Sequence, residues 1–453
     1  MKRLLLILIL LPGTLCMGQS ISNVSPSSAN VGDNISVDMT LSGMTPPTDV
    51  MPASAEIGSY SGANVTRSGD IVTADFDFSS ASQGIYDVSV TFPGPSGDIS
   101  FTMTSGFTIN GSGSTEIIFV DGENGSDTND GSTWANAKQT VQSGIDACSM
   151  GEVWIKQGTY FPTNDNNRGT SINLKAGVTI YGGFAGTETS LNERNWQTNP
   201  TILSGDIGAL NDISDNAYHI VTGTNLSGID GFYIMYGNAN GELANRFGAG
   251  IYMEASSPQI SNCQFENNYA EDGAAIYVFN DATPSISDCT FINNNALLGG
   301  AIVCRVGGAA NITNCYFENN FAEWRGGALF VDYGAYDTNP VYISGCTFVN
   351  NSTNGNGGAF YCDDLASQYQ GTYIEIENCT FTGNTAQYRG GGMSNFNQNI
   401  FITISNCEFS GNSAGSGGNA IANDYLVTGT ISGCTFNTNQ DVDSDSSCTI
   451  TIN

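Results

Sequence analysis

Two hydrophobic rhythms run along this chain. In the first stretch apolar and polar residues alternate: Ile35, Val37, Met39 and Leu41; Ala74, Phe76 and Phe78; Tyr86, Val88, Val90 and Phe92; Ile99, Phe101 and Met103. A period of two marks half-buried strands, and turn groups such as Ser68-Gly69-Asp70 and Pro93-Gly94-Pro95 separate the runs. The spacing predicts a small antiparallel β-sandwich over 20–110, then a flexible Gly-Ser-Gly-Ser linker at 111–114.

The second rhythm is a repeat aligned on Cys263, Cys289, Cys315, Cys346, Cys379, Cys407 and Cys434. Three residues before each stands Ile260, Ile286, Ile312, Ile343, Ile376, Ile404 or Ile431. Two after each stands Phe265, Phe291, Phe317, Phe348, Phe381, Phe409 or Phe436, and five after each Asn268, Asn294, Asn320, Asn351, Asn384, Asn412 or Asn439. The six intervals average 28.5 residues and lack the 3.6 period of helical repeats. Glycines then introduce a second strand, as in Gly299-Gly300-Ala301-Ile302 and Gly326-Gly327-Ala328-Leu329. Ile, Cys and Phe do not share one alternation, so the chain must bend between Ile and Cys. Stacking such rungs in parallel register, about 4.8 Å apart, makes each column a ladder, and the fold expected is a parallel β-helix over 115–453. Phe and Ile columns fill its interior. The Asn column is expected to take left-handed corner angles and to bond the identical amides above and below.

Ahead of the repeat, Trp134, Ala137, Val141 and Ile145 fall at helical spacing, which predicts a helix up to Cys148 that caps the first rung. At the far end the sequence stops within the strand-like run Cys448–Ile452, so a folded-back tail or further residues are expected to protect the last rung.

Composition narrows the function. The 453 residues carry 12 Lys+Arg against 43 Asp+Glu, a net charge of −31, which excludes a nucleic-acid partner. Lys2 and Arg3 precede an apolar run from Leu4 to Leu11, then Pro12-Gly13 and small or polar residues to Gln19, the layout of a cleaved signal peptide over 1–19. Leu15 stands where a small residue would be wanted before a lipidated Cys16. No apolar run is long enough to span a bilayer. The chain is therefore expected to be secreted or held at the outer cell surface, as a monomer.

Twelve cysteines in an exported chain would ordinarily pair. In an aligned ladder, however, neighbouring Cβ atoms stay about 4.8 Å apart, beyond bridging range, so the cysteine column reads as buried thiols. With one His and no Cys-x-x-Cys, zinc is not indicated.

The spacing from each glycine-rich triplet to the next cysteine is 14, 14, 18, 20, 15 and 14 residues, so two successive rungs carry insertions at one corner. These loops hold Asp332, Tyr333, Tyr336 and Asp337, then Asp363, Asp364, Tyr369 and Tyr373. Rings that stack on sugar faces, beside carboxylates that accept hydroxyls, point to a glycan. Trp324-Arg325 and Tyr388-Arg389 share another column and are expected to line a sugar groove by stacking and bidentate bonds. Arg305 also falls in the repeats, no Lys follows Lys175, and no Asp cluster stands out in the columns; His219 reads as a bonded interior residue. The loop Asp121–Gly131 gathers oxygen ligands among glycines, and Asp121, Asp127, Asn129 and Asp130 are its candidates for a Ca2+ ion, with an acidic helix-capping turn as the alternative.

The opening, with Val24-Ser25-Pro26 and Val31-Gly32-Asp33, resembles the Ig-like modules of bacterial surface proteins. The rows of Phe, Asn and Gly-Gly-Ala resemble the repeat of polymorphic outer membrane proteins. Phe119-Val120-Asp121, Asn129–Trp134, Gly158-Thr159-Tyr160, Tyr181–Phe184, Asn199–Asp206 and Tyr218–Val221 resemble the secreted right-handed β-helix proteins of the pectate-lyase-like superfamily. The resemblance implies an all-β chain: an N-terminal Ig-like β-sandwich followed by a right-handed parallel β-helix with an N-terminal capping helix. It implies function only weakly, because that fold carries lyases, hydrolases and adhesins. Two functions follow as expectations: a non-catalytic surface protein that binds a glycan, or a calcium-dependent polysaccharide lyase or glycoside hydrolase. The absent Lys base favours the first.

Overall fold

The structure is a computed structural model and describes residues 20–30, 34–42, 50–78, 81, 84–93, 98–110, 116–333, 339–364, 371–437, 439 and 441–453. The signal segment 1–19, the linker 111–114, and Tyr336, Asp337 and Tyr369 lie outside the described residues. The chain divides into two compact units, Met1–Ser114 and Thr115–Asn453.

In the first unit the strands form one hydrogen-bonded path. Ser20–Ser25 lies near its middle, with Asn34–Ser42, Ile71–Asp77 and Ala63–Ser68 on one side and Ile99–Asn110, Gly84–Phe92, Ser54–Ile57 and Tyr60–Ser61 on the other. The alternation read from the sequence decides which face is buried: Val37, Met39 and Leu41, Val72, Ala74 and Phe76, and Val88, Val90 and Phe92 all point into one core. A flat sheet could not enclose that face. The sheet instead folds over, so that Tyr60 at one end meets Phe78 beyond Ile71–Asp77 near the other, ring centroids 5.6 Å apart. The two halves of the path face one shared core and are joined at Ser20–Ser25, which pairs with Ile99–Asn110 only through Ser20 and Thr102. A register shift between Tyr86 and Val88 bends its long hairpin.

The second unit is a stack of parallel rungs. Among its described residues four parallel sheets, of 12, 10, 10 and seven strands, run along the stack. The first face begins at Glu116–Val120 and ends at Thr449–Ile452; the second runs from Gly158–Tyr160 to Thr435–Phe436; the third runs from Ile172–Asn173 to Val442–Ser444. A short fourth ladder, Asn238–Ala239 to Ser413–Ala414, turns the corner between the second and third. Register is exact column on column: Phe265 pairs with Phe291, Phe291 with Phe317, and Ile260 with Ile286.

The bend expected between Ile and Cys is one residue. Asn262, Asp288, Asn314, Gly345, Asn378, Asn406 and Gly433, each directly before its cysteine, hold φ between +52° and +64°. Asn, Asp and Gly are the residues that tolerate this left-handed region. The expected role of the Asn column needs correction. The left-handed residue of the next corner is the one before it, Asn267, Asn293, Asn319, Asn350, Gly383 or Gly411, while Asn268 through Asn412 turn inward and are buried. Only Asn439, at the last row, is itself left-handed. A side chain inside the corner can satisfy the backbone groups that the bend strips of ladder partners, which a side chain outside it could not reach.

Inside, the phenylalanine column forms a continuous stack from Phe265 to Phe436, with ring centroids 4.6–5.2 Å apart and planes within 11° of parallel. The cysteines from Cys148 onward are free thiols, and those of the column from Cys263 to Cys407 are buried. Their S–H groups point at carbonyls of the preceding bend, as Cys289 does toward Ser287 O at 3.1 Å.

The expected single helix to Cys148 is broken in two, a 3-10 turn Trp134–Asn136 and helix α1, Val141–Ala147. Between them Lys138 bridges to Val120 as a strand, its N–H donating to Phe119 O and its carbonyl accepting from Asp121 N, which forbids helical angles there. Val141, Gly144 and Ile145 of α1 are buried on the first rung. A Cβ on Gly144 would lie 2.5 Å from Val120 Cγ2, so glycine sets how closely the helix approaches.

Candidate functional site

The third face carries the chemistry. Along each of its strands, residues such as Ile276 and Val278 enter the core while Tyr277 and Phe279 point away from it. Parallel register turns the outward positions into two columns. One is Tyr252, Tyr277, Val303, Phe330 and Tyr361; the other is Glu254, Phe279, Arg305, Asp332, Asp363, Phe396 and Asp424.

At the early rungs the rings form a shelf. Tyr277 stacks on Phe247 at 4.7 Å and 14°, on Tyr252 at 5.9 Å and 13°, and on Phe279 at 5.8 Å and 21°. His219 backs Tyr252 at 5.1 Å; its Nδ1–H donates to Gly248 O at 3.1 Å, and burial lowers its pKa, so it stands as a neutral support. Beside the shelf lies a hollow of about 310 Å³ lined by Phe247, Tyr252, Tyr277, Phe279, Arg305, Val306 and Tyr333. Val306, a β-branched residue, holds φ +50°, an uncommon strain that turns the chain out of the strand directly after Arg305.

Arg305 is clamped. Its Nη1 donates to Asp272 Oδ2, and its Nε and Nη2 donate to Asp332 Oδ2 at 3.2 and 3.0 Å. Both carboxyls are buried, and burial outweighs the guanidinium to push each up to about 6. Further along, Asp363 pairs in register with Asp332, accepts from Arg325 Nη1 and Asn397 Nδ2, and has its pKa raised by burial. Asp364 is buried next to it. An acidic cluster therefore does exist within the repeat columns, contrary to the expectation from the sequence. It falls at the corner where the two long loops leave the rungs.

Of the residues singled out from the sequence, Tyr333 lines the hollow, Asp332 adjoins it through Arg305, and Asp363 follows one rung on with Asp364 beside it in the chain. Trp324 and Tyr388 sit in one column with Gly355 between them, both more than half exposed. Arg325 and Arg389 stand in the next column, spaced by Asn356, and each is turned to acids: Arg325 to Asp363, Arg389 to Asp424 and Asp443. Tyr373 lies on the first face, stacked on Phe401 at 4.6 Å beside a second hollow of about 280 Å³. It is not part of the ring shelf.

The acidic loop turns its side chains to the chain itself. Asp121 accepts from Glu123 N, Asn124 N and Lys156 Nζ; Asp127 accepts from Gln139 N and Thr140 N just ahead of α1, whose N-cap is Thr140; Asp130 accepts from Ser132 N; Asn129 Nδ2 donates to Ala137 O. Hydrogen bonding holds Asp127 and Asp130 below the usual carboxylate range. Among the described residues no group of three or more His, Cys, Asp or Glu side chains is placed to hold a metal ion.

A family model described as the right handed beta helix region matches residues 210–368. Among solved structures, Dex49A from Penicillium minioluteum is similar over 93% of this chain and 82% of its own, at 12% identity and a TM-score of 0.32. No curated protein matches the sequence.

Proposed function

We propose that this chain is an exported β-helix protein that binds a glycan along its third face without turning it over. The observation that carries the reading is the shelf: the half-buried rings of Phe247, Tyr252 and Phe279, packed within about 20° of parallel on the buried Tyr277 that holds them in place, beside the donors of Arg305. Flat apolar faces with polar groups at the edge match the alternating C–H faces and hydroxyl rims of pyranose rings. The same reading takes residues 20–110 as an Ig-like module, 115–453 as a right-handed helix with polymorphic outer membrane protein-type repeats, α1 as its cap, and 1–19 as a signal removed on export.

The test is a panel of polysaccharides presented to the full chain, scored for retention and for new reducing or unsaturated ends. Retention without new ends is expected, and Tyr252→Ala should weaken it about tenfold, the size of one lost ring contact. Unchanged retention in that variant would remove the shelf from the reading.

A second reading, a glycoside hydrolase, has one observation in its favour. Asp332 and Asp363 stand on adjacent rungs with raised pKa values, and two carboxyls are the apparatus such hydrolysis uses. Against it, the two are 1% and 0% exposed, so neither reaches a glycosidic oxygen as placed. New reducing ends that vanish in Asp363→Asn would decide for it.

A further inference from the structure

We infer that the hollow beside the ring shelf admits neutral pyranosides and rejects uronic-acid glycans, with Asp272, Asp332 and Glu254 as the specificity-determining groups around Arg305; this rests on the glycan reading above. A lone arginine in a sugar groove would be a receptor for a uronate, since its fork matches a carboxylate bidentately. Arg305 is not lone. Three of its N–H donors are committed to Asp272 and Asp332, whose side chains are 3% and 0% exposed, while the arginine side chain is 24% exposed. One positive charge is thus held between two negative ones. The clamp offers hydrogen-bond donors to a hydroxyl with a surplus of negative charge behind them.

The surroundings have the same sign. Glu254 is exposed beside the lining Tyr252, two rungs from Arg305 in the same column, its Oε2 accepting from the Tyr252 hydroxyl at 3.0 Å. Along this face the other arginines are paired as well: Arg246 with Glu271, Arg325 with Asp363, and Arg389 with Asp424 and Asp443. Lys175 is the last lysine of the chain. The clamp alone confronts an arriving carboxylate with one uncompensated negative charge, which at roughly 6 Å across a partly wet groove disfavours it by about tenfold against an uncharged hydroxymethyl in the same place, and Glu254 adds to that. A filter of this kind weakens in salt, whereas ring stacking does not.

Calorimetric titration of the full chain with neutral hexasaccharides of glucose, galactose, mannose and xylose, and with hexagalacturonate and hexaglucuronate, tests this. The expected result is binding of at least one neutral oligosaccharide, with its uronate counterpart about tenfold weaker at low ionic strength and the gap closing at high salt. Asp332→Asn and Glu254→Gln should each narrow the ratio between neutral and acidic ligands; Glu254 is exposed, so that variant keeps the test open if the buried substitution fails to fold. Uronate binding equal to or tighter than neutral binding at low salt overturns the filter while leaving the glycan reading standing. No binding by either class overturns both.

Discussion

Asn268 and Asn294 are joined through the core: Nδ2 of the first donates to Oδ1 of the second at 3.0 Å, one rung apart. The link repeats through Asn320, Asn351 and Asn384 to Asn412. Each amide also serves the backbone. Asn320 Oδ1 accepts from Asn294 N at 3.1 Å, and its Nδ2 donates to Phe291 O at 2.9 Å.

Asn320→Ala therefore strands several buried groups together. It should cost about 4 kcal/mol, most of it the desolvation of partners left unpaired. Urea unfolding followed by tyrosine fluorescence measures it; a loss below about 1 kcal/mol would mean the ladder is incidental.

The bend before each cysteine yields a second prediction. Asn314 holds φ +53°, where a β-branched residue is strongly disfavoured. Asn314→Val should lose at least about 2 kcal/mol while Asn314→Gly stays near neutral. Equal stability of the two in thermal melts would refute the corner assignment.

The thiol file should be inert. Hydrogen bonds from the neighbouring thiols, with burial, push Cys379 and Cys407 up to about 12, and the column from Cys263 to Cys407 is buried. Among residues 116–453, a thiol reagent applied to the native protein should label Cys434 and Cys448, both partly exposed, and reach the others only on unfolding. Mass spectrometry of labelled peptides reads this directly, and melting with and without reductant should coincide.

Acid should stabilise the clamp. Asp272 and Asp332 titrate near 6 when folded, above the ordinary carboxylate value of about 3.9. A raised folded pKa contributes stability that is complete below the unfolded value and disappears as pH rises through about 6. The groups facing the pair are Arg305, Arg246, Glu271, Asp363, Asp364 and Tyr277. His219 works in the opposite sense, since its pKa is lowered and its contribution fades as pH falls below about 6.5. The wild type should therefore gain more than Asp332→Asn between pH 7 and pH 5 in urea titrations. Over the same interval protonation removes the surplus negative charge, so uronate binding should improve relative to neutral binding.

How much was legible beforehand follows from where each residue points. Ile260, Cys263 and Phe265 face a core whose shape repeats every rung, so the same letters recur and the register can be read from spacing alone. The ring shelf was hidden because outward positions have no such constraint: Tyr252, Tyr277, Val303, Phe330 and Tyr361 form one column with several identities. Asp332 and Asp363 stand out as loop carboxylates, but their shared column is visible only from another origin. Counted from the cysteines, Asp332 and Asp363 follow inconspicuously; counted from Ala328 and Ala359, both fall four residues on. The break before α1 could not be foreseen, because it depends on Lys138 reaching Val120 in space.

One residue per rung bends the chain before each cysteine, and the same bend recurs at every level. A rod made this way is modular in whole coils. Duplicating or deleting one coil would lengthen or shorten the outer face by a single step, leave the coils on either side in their own geometry, and slide the ring shelf relative to the acid clamp. Ligand length and ligand charge would then be adjustable separately, by copying segments rather than by redesigning a pocket.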